Sequence, residues 1–246
     1  MTRYRASSRR RTVSPAVTVL ILIAIALYVA WTYLGPNATA GSGTPGSAVP
    51  DVSVPNSSEP GLTAAESLTA LGGLPVKGKS PMTGYDREGS FGAAWSDVDD
   101  NGCDTRNDIL QRDLDVFETR DDACTVVTGV LTSPYTGEEI DFVRGIDTSA
   151  EVQIDHVVAL ANAWQTGAVA LSASERRELA NDPLNLFAVD GTSNSQKGAG
   201  DAATWLPKSK AFRCVYIEHQ VAVKVKYELW VTKAEKATMS RILEAC

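Results

Sequence analysis

The chain has two histidines, and His156 stands where the surrounding residues could do chemistry. It follows Asp155 at the end of Glu151–Ile154, whose apolar–polar alternation predicts a strand. Val157 to Trp164 then has helix-like spacing. Downstream, Asn185 opens a second short apolar strand, Asn194 comes nine residues later, and Lys197-Gly198 three after that. Strand, turn, strand and helix, with polar residues at the turning points, form a compact ββα unit. Such a unit can hold one divalent cation between its first strand and its helix. The plain alternative makes Asn185 and Asn194 turn and N-cap residues and Lys197 a solvated lysine. His219, in a Glu-His-Gln run on an amphipathic segment, reads as a surface residue.

The elements that must position these residues are legible in part. Thr63 with Glu66, Ser172 with Glu175, and Thr232 with Glu235 each match a capping box and predict three helix starts. Residues 80–101 read as a loop packed by Tyr85, Phe91 and Trp95. Ile109, Leu110, Leu114 and Phe117 predict one helix from Thr105 to Phe117. Val126–Leu131 reads as a strand, and Tyr135 to Glu139 as a hairpin turn before Ile140–Val143. A helix is expected to start at about Ser193. Beyond Lys208 there is no Gly or Pro, which favours helix over strand around Val221 and Val225. The fold expected is α+β: a ββα unit embedded in a mainly helical domain.

The N-terminal part does a different job. Residues 1–15 carry a basic cluster, Arg3, Arg5, Arg9, Arg10 and Arg11, and Ala16 to Leu34 is an apolar run broken only by Thr18 and Thr32. At 1.5 Å per residue this run can cross a bilayer core of roughly 30 Å. The basic flank inside and Tyr28, Trp31 and Tyr33 outside predict a single-pass transmembrane anchor with the domain outside the cell. A secreted form cut near Ala40 is the alternative. Residues 35–61, rich in Gly, Pro, Ser and Thr, predict a flexible linker to a domain at 62–246. Four cysteines in an exported chain point to disulfides. Of the three possible pairings, Cys103–Cys124 and Cys214–Cys246 join neighbouring segments and are preferred. The 23 Lys and Arg include five leader arginines, so 18 remain from residue 36 onward against 30 acidic residues, a balance of −12. That excludes a broad sliding surface for a polyanion, but not a local site.

Segments 151–168, 181–201 and 204–207, with 101–110 and the Pro134–Gly137 turn, resemble the HNH endonuclease family, in particular an exported actinobacterial branch related to GmrSD-type nucleases. The resemblance covers residues 75–246 and implies the His-Me finger form of the ββα-metal unit. It implies His156 as general base, Asp155 and Asn194 as ligands of Mg²⁺ or Mn²⁺, and Asn185 as a brace for the loop that aims His156. Lys197 would meet a phosphate oxygen. Arg106 would either do the same or pair with Asp104 or Asp108. Many members have His at the position of Asn194 and carry CxxC pairs that this chain lacks. The substrate implied is nucleic acid, DNA ahead of RNA, and no protein partner is expected.

One further motif competes. Asp97, Asp99 and Asn101, with Asp108 at the twelfth position, match the start of an EF-hand calcium loop. Asp104 replaces the usual apolar eighth residue and no helix is predicted before Asp97, so an acidic turn beside a disulfide is preferred. The alternative function is therefore a non-catalytic, calcium-stabilised extracellular binding module. A cell-wall hydrolase fits the location but lacks a catalytic set.

Overall fold

The computed structural model describes residues 62–246 apart from residue 147. The expected anchor at 16–34 and the linker to residue 61 lie outside the described residues. No helix among the described residues is long and apolar enough to cross a membrane.

The described residues form a mixed α+β domain. Helix α1 (Ala64–Gly73) starts at the predicted capping box, with Thr63 accepting from the Glu66 amide. The segment expected as pure loop contains a helix, α2 (Arg87–Phe91), because the Asp86 carboxylate accepts from the Gly89 amide and caps it. Gly92, at φ +82°, ends it after five residues. Helix α3 (Thr105–Asp113) stops short of the expected Phe117. The chain extends at Leu114, and Asp115–Thr119 forms strand β1. The apolar spacing continued past the helix because Leu114 and Phe117 pack against Gly129 of the neighbouring strand, where an added Cβ would lie 2.9 Å from Leu114 Cδ1. Val116 at φ +44° breaks the register between Asp115 and Glu118.

Strands β2 (Val126–Thr132) and β3 (Glu139–Val143) complete an antiparallel sheet of order β1-β2-β3. Strands β4 (Val152–His156) and β5 (Leu186–Asp190) form a separate antiparallel pair, with His156 opposite Leu186 and Val152 opposite Asp190. Between them lie α4 (Leu160–Gln165) and α5 (Ala173–Asn181), the latter started by the Ser172–Glu175 capping box. Helix α6 (Gly191–Lys197) begins two residues before the expected Ser193, because Asp190 is its N-cap and accepts from the Ser193 amide at 2.7 Å. Gly191 is required there: a Cβ would lie 2.1 Å from the Ala150 carbonyl oxygen. Helices α7 (Arg213–Lys226) and α8 (Lys233–Leu243) close the chain, α8 from the Thr232–Glu235 box.

Alternation along β4 and β5 sorts their side chains between two cores. Val152, Ile154, Leu186 and Ala188 join Ile109, Leu110 and Phe142 under α3 and the larger sheet. Phe187 and Val189 face the main core built on α1, α4, α5, α7 and α8. The β4–β5 pair is thus a shared wall, buried on both sides.

The disulfides are Cys103–Cys124 and Cys214–Cys246, the pairs preferred from sequence. The second closes 32 residues between α7 and the last residue. Replacing both Cys214 and Cys246 by alanine is expected to lower unfolding free energy by about 2–4 kcal/mol, read from urea midpoints. An unchanged midpoint would mean that the helix packing alone holds this end.

Candidate active site

Strand β4 presents its polar residues in opposite directions. Gln153 and Asp155 face α6. Asn194 donates to Gln153 Oε1 at 2.8 Å, and Lys197, one turn on, donates to Asp155 Oδ1 at 3.0 Å. Lys197 Nζ also donates to the His156 carbonyl at 2.7 Å, and its side chain is fully buried. The second Asp155 oxygen accepts from the Tyr135 hydroxyl, placed by the β2–β3 turn. Burial, reinforced by the Asp155 charge, pushes that phenol well above its ordinary pKa, so it stays a donor.

This arrangement tests the metal site implied by the resemblance. Both Asp155 oxygens are taken, one by a buried ammonium that stands where a cation on that carboxylate would stand. The Asn194 amide is turned to Gln153. Among the described residues no three His, Cys, Asp or Glu side chains are arranged to hold a metal ion. As arranged, Asp155 offers a divalent cation no open oxygen, Asn194 is engaged through Nδ2 alone, and Lys197 is not open to a phosphate.

The acidic loop does gather its side chains. Asn101 Nδ2 donates to Asp99 and to Asp108, both at 3.1 Å, and Asp97 accepts from the Gly102 amide. The hydrogen bonds that shape it are internal, and Cys103–Cys124 anchors its end.

His156 points away from Asp155, toward α2 and α5. Its Nε2 lies 2.9 Å from the Ala180 carbonyl oxygen. A carbonyl can only accept, so Nε2 carries the proton and Nδ1 is the free basic nitrogen. The Trp95 ring stacks over the imidazole at 6.0 Å and 16°. Burial, aided by the positive charges of Arg87 and Lys197, pushes the His156 pKa down to about 3. A cavity of about 80 Å³ opens beside it, lined by Arg87, Phe91, Trp95, Leu160 and Asn181 among others.

Asn185 organises the chain that leaves His156. Its Oδ1 accepts from the Val158 amide at 2.9 Å, its Nδ2 donates to the Leu179 carbonyl at 3.2 Å, and its own carbonyl accepts from Val157. It therefore ties the segment after His156 to the end of α5, whose Ala180 carbonyl fixes the imidazole.

Two other expectations are corrected or redirected. His219 is buried, not on the surface: Nδ1 lies 2.9 Å from the Leu184 carbonyl and the ring packs edge-on to Phe187. The buried face of α7 is wide, running through Tyr216, Ile217, Gln220 and Val223, and it takes His219 with it. Arg106 makes no ion pair with Asp104 or Asp108. It donates to the Val152 carbonyl at 3.2 Å, at the end of β4 opposite His156.

Sequence reasoning missed Arg87 and Trp95 as neighbours of His156. The Asp86 cap was the readable signal for α2. Nothing in the sequence announces Trp95 at φ +62°, a conformation an L side chain adopts at a cost.

The buried, neutral His156 gives a testable acid response. The unfolded chain protonates this histidine near pH 6.5, the folded chain only near 3. Between these values the unfolded state binds the extra proton. The stabilisation is thus complete above 6.5 and lost as pH falls toward 3, by up to about 1.4 kcal/mol per unit. Urea midpoints of wild type should fall more steeply from pH 7 to 5 than those of His156→Gln. Equal slopes would mean that the imidazole is solvated.

Residues 104–242 match the family model described as GmrSD restriction endonucleases, C-terminal domain. An uncharacterized secreted protein of Arthroderma benhamiae is 35% identical over 189 residues, covering 76% of this chain and 87% of that protein. No solved structure matches. The matched region begins at the N-cap of α3 and takes in β4, β5, α6 and the His156 cavity wall from α5. The chain belongs to the family of GmrSD restriction endonuclease C-terminal domains.

Proposed function

We propose that this chain is an exported endonuclease of the HNH type, in the branch related to GmrSD nucleases, that hydrolyses phosphodiester bonds of nucleic acid, DNA ahead of RNA. The observation that carries the reading is the state of His156. It is a neutral imidazole that lines a small cavity, its Nε2–H fixed on a backbone carbonyl and its Nδ1 therefore the basic nitrogen. That is the tautomer a general base needs. Nδ1 takes a proton from water, the water oxygen forms the new bond to phosphorus, and the 3′ oxygen departs and is protonated by solvent. The β4–β5–α6 order around it supports the HNH assignment. The relative described as secreted, the two disulfides and the expected export segment support an extracellular location.

The test is a cleavage matrix: supercoiled plasmid, single-stranded DNA and RNA, each with Mg²⁺, Mn²⁺ or chelator. Nicking in at least one metal-supplemented arm is expected. No cleavage of any substrate under any condition would overturn the reading. The chelator arm decides the metal requirement, which the Asp155–Lys197 pairing leaves to solution measurement.

A further inference from the structure

We propose that Arg87 is the substrate-binding residue of this site, its guanidinium taking a non-bridging oxygen of the phosphodiester that His156 attacks with water across the cavity they share. The inference deepens the nuclease reading and rests on it.

The domain is acidic, so a phosphodiester must find its positive charge locally. Lys197 is sealed against Asp155 and the His156 carbonyl. Arg106 is spent on the Val152 carbonyl at the other end of β4. Arg176 donates to the Ser90 carbonyl at 2.6 Å and to the Leu171 carbonyl, and Arg177 packs its stem on Gly92 at the rim but does not line the cavity. Arg87 differs. It is exposed at the first turn of α2, lines the cavity with His156 and forms no ion pair among the described residues; its guanidinium meets the side chain of Tyr85, a neutral phenol that leaves the charge uncompensated. Its neighbour Glu88 also reaches the cavity, but adjacent helical residues do not face each other, and the two are unpaired.

The rest of the wall sets the geometry. Phe91, Ala93, Ala94 and Leu160 are apolar, so an anion entering there meets one cation, Arg87, and one base, with the Glu88 carboxylate as the charge it must avoid. Trp95 covers one face of the imidazole, and Ala180 holds Nε2, which leaves the Nδ1 edge as the part of the ring able to act. Trp95 keeps its left-handed backbone because the next residue is tied down: the Ser96 amide donates to Asn181 Oδ1 at 3.0 Å, and its carbonyl accepts from Thr105. A planar guanidinium fork suits two oxygens of one phosphate, and it strengthens its hold as charge grows on them in the transition state.

The experiment uses the full-length chain and two readouts. In steady-state cleavage of a DNA oligonucleotide, Arg87→Ala should lower kcat/KM by about 10²–10³-fold and Arg87→Lys should recover part of it. Arg87 is exposed, so the variants should melt with wild type. In the second readout, the thymidine dinucleotide dTpdT is titrated while imidazole NMR signals are followed; with only two histidines they are simple to assign. The His156 signal should move in wild type and stay still in Arg87→Ala, with His219 unmoved in both. Full activity and an unchanged dTpdT shift in Arg87→Ala would overturn the proposal while leaving the nuclease reading intact. A dinucleotide shift that depends on Arg87 in a chain that cleaves nothing would keep the anion site and remove the nuclease reading. No His156 shift in wild type would overturn the proposal outright.

Discussion

His156→Ala is expected to lower plasmid nicking by about 10²–10⁴-fold, the range for loss of a positioned general base. The measurement is the initial rate of supercoiled-to-nicked conversion, paired with circular dichroism to show that the variant is folded. Equal rates for wild type and variant across the metals would remove the enzyme assignment. A base with a pKa pushed down to about 3 is always unprotonated at neutral pH, yet it holds an accepted proton poorly. The part of the depression that comes from the positive charges of Arg87 and Lys197 is the part that a phosphodiester anion would offset. An anion beside the ring favours the imidazolium, so the base is expected to strengthen as substrate enters. His156→Gln separates the two parts of the role: an amide can still donate to the Ala180 carbonyl, but it cannot take the proton. It should be as inactive as alanine while staying closer to wild-type stability.

How much of this was legible in the sequence depended on the range of the interaction involved. The capping boxes at Thr63, Ser172 and Thr232 are written within three residues, and all three start helices as read. The order β4, β5, α6 was visible because alternation and an apolar run report burial directly. What failed was long-range. Phe117 fitted a helical stripe, but its position is decided by pairing with β2, which no local pattern shows. His219 looked polar and exposed, yet the breadth of the buried face on α7 depends on Phe187, which is far away in sequence. Arg87 and Trp95 were read as loop residues because their meaning lies in a cavity shared with His156, which comes far later in the chain. Asp155 is the most instructive. The family resemblance implies a ligand there, and only the reach of Lys197 from the last turn of α6 and of Tyr135 from a distant hairpin shows what holds it.

Asp155→Ala is expected to cost about 3–5 kcal/mol of unfolding free energy, a large share of what holds a domain of this size. The truncation strands the Lys197 ammonium in a fully buried position with one remaining acceptor, the His156 carbonyl, and leaves the Tyr135 hydroxyl without a partner. The loss should appear as an earlier urea midpoint with an unchanged slope. The double variant Asp155→Leu with Lys197→Met should regain most of it, because an apolar pair of similar volume carries neither stranded charge nor desolvation cost. This pattern separates two roles for one carboxylate. If Asp155 is occupied by Lys197 in solution, the single variant loses stability first and activity as a consequence, since Lys197 also holds the His156 carbonyl. If Lys197 swings away and leaves the carboxylate open to a divalent ion, Asp155→Ala loses activity while its midpoint stays near wild type. A near-wild-type midpoint would thus overturn the buried pair and return Asp155 to the metal. The stability measurement, made without substrate or metal, therefore decides whether the chain itself supplies the cation on Asp155 in the free protein.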